Sequence, residues 1–211
     1  MILKVLFSAL AGYLLGSINT SLIVGKLLYK TDVREHGSGN AGATNTLRTL
    51  GKGAAVAVVL GDLLKGIIAC LLGRFLSGEL TPGSGIYAGE YLAGFFAVLG
   101  HNWPVFFGFK GGKGVMTSFA VVLMFSPWVA LICLGGFIVI VALTRYVSLG
   151  SMVCGFFFPI LAFFFGEPWL LVAVGSLLAL LIVLRHSANI QRLLAGDEKK
   201  LRFRKESSVK G

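Results

Sequence analysis

The chain has 211 residues, of which 56% are hydrophobic and 13% are charged, and its formal net charge is +10. Soluble domains carry about 25% charged residues, so the composition excludes an ordinary soluble protein and indicates an integral membrane protein. The positive charge suits a membrane surface that contains anionic lipid, and it requires no nucleic-acid partner.

Seven apolar segments predict about seven transmembrane helices, because roughly 20 apolar residues span the bilayer core as a helix. They cover residues 3–27, 53–75, 86–101, 114–126, 128–144, 149–166 and 169–185. Several are shorter than this length, so either their ends shift or some are partial spans that line a cavity. We expect an all-α polytopic membrane protein that forms a single domain over residues 1–211.

The sequence indicates neither a cleaved leader nor a metal or cofactor site. The first apolar segment is too long for a signal-peptide core and has no clear cleavage site, so we expect a retained span. Cys70, Cys133 and Cys154 lie within apolar segments, without disulfide or metal-ligand spacing. We therefore expect no metal and no cofactor.

The basic residues are distributed unevenly between the two sides of the predicted bundle. Most of the 19 Lys and Arg residues fall in the connection 26–52, near residues 110–113, or in the C-terminal region from Arg185. Cytoplasmic segments carry such an excess. We expect the N-terminus outside, the C-terminus in the cytoplasm, and a basic cytoplasmic tail from about residue 192.

Three polar, glycine-rich parts of the chain interrupt the apolar pattern, and the predicted orientation places all of them on the cytoplasmic side. They are HGSGNAGATNTLR (36–48), GHNWPVFFGFKGGKGVMTS (100–118), and SLGS (148–151) together with RHSANIQRLLAGDE (185–198). Special chemistry on one side favours an interfacial enzyme, because a transporter would show broken helices and polar groups near the midplane.

The segment 36–48 has the composition of an anion-binding loop. Its glycines permit positive φ, so successive backbone N–H groups can converge on an anion. A helix that begins near Thr44 would place Thr44, Asn45 and Arg48 on one face, and its N-terminus would favour phosphate. The alternative is a surface loop with a capped helix start.

The segment 100–118 offers backbone approach from its glycines and a compact positive charge from Lys113. It lacks the spacing of a nucleotide-binding P-loop, so nucleotide hydrolysis is not indicated. We interpret the aromatic run 103–107 as an interfacial anchor and His101 as a structural histidine.

The remaining polar residues form pairs at helical spacing. His186 and Asn189 are three residues apart and share a helix face, and Ser148 and Ser151 are likewise three apart. One of the two serines could cap its helix while the other faces the site. In the second apolar segment we expect a buried Asp62–Lys65 ion pair that braces the site, because ionisable groups inside a membrane are paired or functional.

These segments resemble the three motifs of the bacterial acyl-phosphate:glycerol-3-phosphate acyltransferase family (PlsY). The resemblance implies a seven-helix, multi-pass enzyme of the bacterial inner membrane, with its active site facing the cytoplasm. It implies transfer of a fatty acyl group from acyl phosphate to the 1-hydroxyl of glycerol-3-phosphate, giving lysophosphatidic acid and phosphate. The expected partners are these two substrates and membrane lipid, and we expect a monomer.

The resemblance also implies roles for individual residues. The expected catalytic residues are Ser38, Arg48, Lys113, His186 and Asn189. The expected substrate-binding residues are Gly37, Gly39, Asn40, Gly42, Thr44, Asn45, Gly111, Gly112, Gly114 and Ser151. Among them, Arg48 and Lys113 would bind the phosphate of glycerol-3-phosphate, and Ser151, His186 and Asn189 would orient its hydroxyl groups. Glycines 37–42, with Thr44 and Asn45, would hold the acyl-phosphate head.

No serine or cysteine with an adjacent base stands out, so we expect direct attack on the acyl phosphate without an acyl-enzyme. The identity of the general base is left open, with His186 and the substrate's own phosphate as the two candidates. Two other classes of protein compete with the enzyme: a small-anion transporter and a membrane scaffold without chemistry.

Overall fold

The computed structural model describes residues 2–201, which form ten α-helices and two short 3₁₀ turns. The α-helices are α1 (Ile2–Gly16), α2 (Thr20–Tyr29), α3 (Ala43–Thr49), α4 (Lys52–Ser77), α5 (Ala88–Asn102), α6 (Val115–Phe125), α7 (Pro127–Thr144), α8 (Val147–Phe164), α9 (Trp169–Arg185) and α10 (Ser187–Leu194). The 3₁₀ turns are Val33–Glu35 and Val105–Phe107. The part of the predicted basic tail beyond residue 201 lies outside the described residues.

The all-helical membrane fold is confirmed, whereas the seven predicted spans are not. By length and composition, four helical stretches could cross a membrane: Ile2–Tyr29, Lys52–Ser77, Pro127–Thr144 and Val147–Phe164. A fifth arises if α9 and α10, which are bent by 57°, count as one span. Helices α5 and α6 have 15 and 11 residues, fewer than the roughly 20 that cross the hydrocarbon core. The sidedness of the two termini stays a prediction.

The first apolar segment, predicted as one helix, is divided into α1 and α2. The break lies at Ser17–Asn19, where the Asn19 side chain accepts a hydrogen bond from Leu22 N at 3.1 Å and caps α2. An asparagine at this position satisfies one of the free N–H groups of the new helix. The break also frees the Ile18 carbonyl, which accepts a hydrogen bond from Lys65 at 3.2 Å.

Small residues allow α1 and α5 to pack at close range. A Cβ atom added at Gly12 would overlap the backbone of Ala93, and one at Gly16 would overlap the backbone of Ala97. Membrane helices commonly associate through such small residues, because lipid gives no hydrophobic drive between them. Helix α5 is therefore fixed in the interior, and its last turn lies beside the polar loops.

The polar segments meet at one end of the bundle, and a separate ion pair connects α4 to α5 at the other end. That pair is Arg74–Glu90, with two hydrogen bonds of 2.8 Å. At the polar end, the aromatic segment is tied to α1 by Tyr13, whose hydroxyl donates to the Trp103 carbonyl at 2.8 Å. Phe106 in this segment is 59% exposed, in keeping with the predicted interfacial anchor.

Candidate active site

A polar cavity of about 420 Å³ opens where the three glycine-rich parts of the chain meet. Most of the predicted site residues line it: Gly37, Ser38, Asn40, Gly42, Thr44, Asn45, Arg48, Lys113, Gly114, Ser151, His186 and Asn189. It is also lined by Ala43, Asp62, His101, Val115, Met116, Phe137, Val147, Ser148, Arg192, Glu198 and Lys199. Segments that are far apart in sequence thus contribute to one site.

The loop 36–42 is held in shape by the side chain of Asn45. Its amide nitrogen donates to the carbonyls of Val33 at 2.8 Å and His36 at 3.1 Å, and its oxygen accepts from Ser38 N at 2.8 Å. Gly37 adopts a φ of 66°, a left-handed conformation that favours glycine. The amide of Asn45 is therefore engaged within the loop itself, while the loop presents Ser38 and Asn40 to the cavity.

The helix predicted from Thr44 onward is present as α3, with Gly42 as its N-cap. The Arg48 side chain extends toward the C-terminal segment and donates from Nη2 to the Lys199 carbonyl at 3.1 Å. Residues 198–199 therefore close one side of the cavity beside Arg48.

The Lys113 loop is held by backbone hydrogen bonds to the end of α5. Gly111 N donates to the Asn102 carbonyl at 3.2 Å, and Gly112 N donates to the His101 carbonyl at 3.1 Å. Arg185 donates to the Gly112 carbonyl at 2.8 and 3.2 Å. These bonds occupy the N–H groups of Gly111 and Gly112, which the sequence suggested for phosphate.

Lys113 is the cation at the centre of the site. Its ammonium donates to Oδ1 of Asn189, which connects the second and third polar segments. Burial lowers the pKa of Lys113 to about 8; Glu198 opposes this shift, whereas Arg192, Arg185 and Arg48 add to it. An anion bound beside Lys113 would stabilise the charged form, so the site is prepared for a negative ligand.

The bend between α9 and α10 places His186 and Asn189 at the cavity. The helix ends at Arg185, and Nδ1 of His186 lies 2.7 Å from the Ile182 carbonyl. This geometry requires a proton on Nδ1, so Nε2 of the neutral ring is a hydrogen-bond acceptor. His186 is buried and Asn189 is 6% exposed.

Glu198 is the main feature of the cavity that the sequence analysis missed. Its carboxylate accepts from Ser148 Oγ and Asn189 Nδ2, both at 2.6 Å, and from Arg192 Nε at 2.8 Å. Desolvation opposes ionisation, but the hydrogen bonds from Ser148, Arg192 and Asn189 outweigh it and lower the pKa of Glu198. Asn189 and Arg192 are three positions apart, which could have indicated that Arg192 shares a helix face with Asn189.

The two serines of α8 do not divide their roles as predicted. Neither caps the helix, which begins at Val147 with Tyr146 as the N-cap. Both line the cavity. Ser148 donates to Glu198, whereas Ser151 donates to the Val147 carbonyl at 2.9 Å and so satisfies its hydroxyl within α8.

Three predicted substrate-binding glycines do not line the cavity. Gly39 and Gly111 line a separate surface groove near Arg34 and Lys110. Gly112 packs on His101, where an added Cβ atom would overlap Nε2 of the ring and lie 2.5 Å from the Ala41 carbonyl. Close packing, rather than ligand contact, requires this glycine.

The predicted Asp62–Lys65 pair is present, and it includes His101. Lys65 Nζ lies 2.8 Å from Asp62 Oδ1 and 2.8 Å from His101 Nδ1. The interpretation of His101 as a structural histidine agrees with these contacts. Asp62 and His101 both reach the wall of the cavity.

A smaller apolar cavity of about 130 Å³ adjoins the polar one. Val115, Met116, Phe137 and Ser151 line both. The apolar cavity continues between α6, α7, α8 and α9 and is lined largely by aliphatic and aromatic side chains. Within residues 2–201 no group of three or more His, Cys, Asp or Glu side chains has an arrangement that could hold a metal ion.

Comparison with known proteins identifies the family. A family model described as glycerol-3-phosphate acyltransferase matches residues 6–196. The chain belongs to the glycerol-3-phosphate acyltransferase family. It is a membrane protein of this family, and the motif resemblance seen in the sequence is confirmed.

Glycerol-3-phosphate acyltransferases from several bacteria are similar to this acyltransferase over nearly their whole length. The protein from Halalkalibacterium halodurans is 46% identical, with 94% of this chain and 96% of the relative covered. The protein from Clostridioides difficile is 47% identical, with 94% of this chain and 96% of the relative covered. The protein from Bacillus subtilis is 44% identical, with 90% of this chain and 94% of the relative covered.

Two solved structures share the fold. Both are of PlsY (YgiH), an integral membrane glycerol 3-phosphate acyltransferase, in a glycerol 3-phosphate form and a lysophosphatidic acid form. The first has a TM-score of 0.86 and 40% identity and covers 94% of this chain and 96% of that one. The second has a TM-score of 0.83 and 39% identity, and the match covers 94% of this chain and 95% of that one.

Proposed function

We propose that the protein transfers a fatty acyl group from acyl phosphate to the 1-hydroxyl of glycerol-3-phosphate, giving lysophosphatidic acid and phosphate. The observation that carries this proposal is the joining of two cavities, one cationic and polar, the other apolar. Such a pair suits a substrate with an anionic head and a hydrocarbon chain. Membership of the family supports glycerol-3-phosphate as the acceptor, and the motif resemblance supports acyl phosphate as the donor.

Arg48 and Lys113 bind the phosphate of glycerol-3-phosphate in this proposal. Both line the cavity, and each carries donors that match phosphate oxygens. Lys113 donates to Asn189, so phosphate would replace or share this contact. The lowered pKa of Lys113 means that a bound dianion strengthens its own binding site by restoring the charge.

His186, Asn189 and Ser151 orient the glycerol part of the acceptor. With Nδ1 committed to the Ile182 carbonyl, Nε2 of His186 is the nitrogen that can accept a hydroxyl hydrogen. Asn189 is fixed between Lys113 and Glu198. Its orientation is therefore set before the substrate arrives, which lowers the entropic cost of placing the hydroxyl.

The loop 37–42 holds the head of the acyl phosphate, and the apolar cavity takes the start of its acyl chain. Ser38, Asn40 and Thr44 supply the side-chain contacts. Asn45 acts through its three bonds within the loop. Gly114 lines the cavity, whereas Gly39, Gly111 and Gly112 contribute to the folding of the two loops.

The chemical step is a direct displacement at the acyl carbon. The acceptor hydroxyl oxygen forms a new ester bond while the bond from the acyl carbon to the phosphate oxygen breaks, and phosphate leaves with the bonding electrons. Because phosphate is a good leaving group, positioning and stabilisation of the developing negative charge suffice. The hydroxyl proton passes either to Nε2 of His186 or to the donor's phosphate, and either group can accept it.

We infer that the site faces the cytoplasm of a bacterial inner membrane and acts within a monomer. The described basic residues near the site, among them Lys110, Lys113, Arg185 and Arg192, support this orientation because cytoplasmic segments are rich in Lys and Arg. The one cavity contains donors from all three motifs within a single chain, so it needs no second copy for its completion.

The donor is tested by supplying purified protein in lipid nanodiscs with glycerol-3-phosphate and either palmitoyl phosphate or palmitoyl-CoA. We expect lysophosphatidic acid from palmitoyl phosphate alone. Product from palmitoyl-CoA at an equal rate would contradict the proposed donor. A covalent acyl adduct, found by intact-mass analysis after incubation with palmitoyl phosphate alone, would contradict direct transfer.

A further inference from the structure

A buried charge cluster lies between the site and the interior of the bundle. Lys65 Nζ is 2.8 Å from Asp62 Oδ1, 2.8 Å from His101 Nδ1 and 3.2 Å from the Ile18 carbonyl. The three side chains are at most 6% exposed. A lysine ammonium has three hydrogen atoms, and each has an acceptor from a different part of the fold: α4, α5 and the break between α1 and α2.

Lys65 fixes the orientation of His101. Because the ammonium can only donate, Nδ1 of His101 must accept, and a neutral ring then carries its hydrogen on Nε2. Nε2 lies against Gly112, where an added Cβ atom would overlap it. The charge cluster therefore sets the surface on which Gly112 rests.

Gly112 precedes Lys113, so the same contacts determine where Lys113 lies. The loop is supported on one side by the His101 ring and backbone and on the other by Arg185, which donates to the Gly112 carbonyl. No space for adjustment exists between Gly112 and the ring. A rotation of His101 would displace the loop and move the Lys113 ammonium relative to Asn189.

Burial of these charges does not by itself stabilise the fold. Ionisable groups in a membrane span are costly, and replacing a buried ion pair by neutral residues of similar volume is often neutral or stabilising. Arg74 and Glu90 already connect α4 to α5 at the opposite end of the same helices. The link between α4 and α5 therefore does not depend on the cluster alone, which leaves the cluster free for a second role beside the site.

We infer that Asp62, Lys65 and His101 are positioning residues, which place Lys113 for binding of the acceptor phosphate. The inference rests on the proposed function and adds residues to which the motif resemblance assigned no catalytic or substrate-binding role. Lys65 holds the His101 ring, Asp62 balances the charge of Lys65, and the ring supports Gly112. The substrate touches Lys113, and the cluster acts through it.

The test compares two neutral double variants of the full-length protein. Asp62→Asn/Lys65→Met removes the cluster's charges without leaving a single buried ion, and Arg74→Met/Glu90→Gln does the same at the opposite end. For the first we expect the KM for glycerol-3-phosphate to rise about 10- to 100-fold, the range for losing one charge-assisted hydrogen bond. Its KM for palmitoyl phosphate stays within about threefold, because the loop 37–42 that holds the donor is not displaced. Both KM values of the second variant stay within about threefold, because the Arg74–Glu90 pair is remote from Lys113 and from that loop.

A purely structural role gives a different result. Partial unfolding lowers the amount of active enzyme, and so the maximal rate, but leaves both KM values unchanged. Equal KM values for glycerol-3-phosphate in the two double variants, with product still formed, would overturn the inference and leave the acyltransferase function intact. If the parent protein forms no product from glycerol-3-phosphate, the proposed function fails and this inference fails with it.

His101→Asn provides a second test in case the double variant does not fold. The asparagine oxygen can replace Nδ1 as the acceptor for Lys65, so the buried ammonium stays paired, but the ring that supports Gly112 is lost. We expect the same rise in the KM for glycerol-3-phosphate. An unchanged KM in this variant would show that the loop does not depend on the ring and would contradict the inference.

Discussion

The two glycine-rich loops of the site look alike in sequence but are built differently. In the loop 36–42, glycines allow a tight path whose shape is set by one side chain, that of Asn45. In the loop 111–114, glycines allow the chain to lie directly on His101, and the backbone is held by the end of α5 and by Arg185. A glycine-rich composition can therefore serve a tight backbone path in one loop and close packing in another.

The largest expected effect follows removal of the cation that the second loop presents. Lys113→Ala should lower kcat/KM for glycerol-3-phosphate by roughly 10²–10³-fold, as for loss of a charged group that stabilises a developing anion. Arg48→Ala should have an effect of the same order. Steady-state assays in nanodiscs measure both, with thermal unfolding as the control for folding. Near-normal kcat/KM in either variant would remove that residue from the phosphate site.

Substitution of the packing glycine should have the next largest effect. Gly112→Ala forces its Cβ atom into His101 and toward the Ala41 carbonyl, so the loop must shift. A displacement of about 1 Å can cost about 100-fold in rate, and we expect a loss of this order in kcat/KM together with a lower unfolding temperature.

Gly39→Ala is the matched control in the first loop. Gly39 has a φ of 71°, and the nearest atom to an added Cβ is the Arg34 carbonyl oxygen at 3.4 Å. The change costs about 1–2 kcal/mol of backbone strain, and we expect activity within about threefold of the parent. Equal losses in Gly112→Ala and Gly39→Ala would show that the two loops do not differ as described.

Loss of the side chain that shapes the first loop should have a moderate effect. Asn45→Ala removes three hydrogen bonds, each with a net contribution of about 1 kcal/mol, and we expect kcat/KM to fall about tenfold. Thr49→Val on the same helix removes one hydroxyl, which donates to the Asn45 carbonyl at 2.9 Å within α3, and should leave kcat/KM within about twofold. Identical activities of the two variants would contradict the role of Asn45.

The smallest expected effect is a pH dependence that belongs to the second loop. Lys113 has a pKa of about 8, and in its proposed role it binds phosphate only in its protonated form. Its charge is present below pH 8 and lost above it, so kcat/KM for glycerol-3-phosphate should fall by up to about tenfold per pH unit above 8. In Lys113→Arg the charge persists, so this decline should disappear. A decline at the same pH in the arginine variant would assign it to another group.

Local sequence patterns predicted the helices of the fold better than the number of membrane spans. Apolar segments and Pro-containing turns located most of the helices, because burial in lipid makes long apolar runs necessary. The break at Ser17–Asn19 was missed, since the few polar residues there lie within a long apolar segment and Asn19 acts as a cap only in its actual conformation. Segments 86–101 and 114–126 were already shorter than a full span in the sequence, and α5 and α6 have 15 and 11 residues. The sequence left open whether such segments are partial spans or full spans whose ends shift.

The lining of the cavity was predictable where a residue's chemistry is evident in its own segment, as for Lys113 and His186. It was not predictable where a contact joins distant segments. Glu198 belongs to a motif that was recognised, but only the fold shows that its carboxylate meets Ser148 and Asn189. Similarly, the glycine at 112 suggested phosphate binding, whereas its reason is the His101 ring, 11 positions earlier in the chain.

The central claim is that phosphate is displaced from an acyl phosphate by the acceptor hydroxyl within this one cavity. The most direct measurement is release of inorganic phosphate from palmitoyl phosphate by the purified protein, with and without glycerol-3-phosphate, alongside the lysophosphatidic acid formed. We expect release only when glycerol-3-phosphate is present, with one phosphate for each lysophosphatidic acid. Release at the same rate without glycerol-3-phosphate, or product without phosphate, would contradict the account.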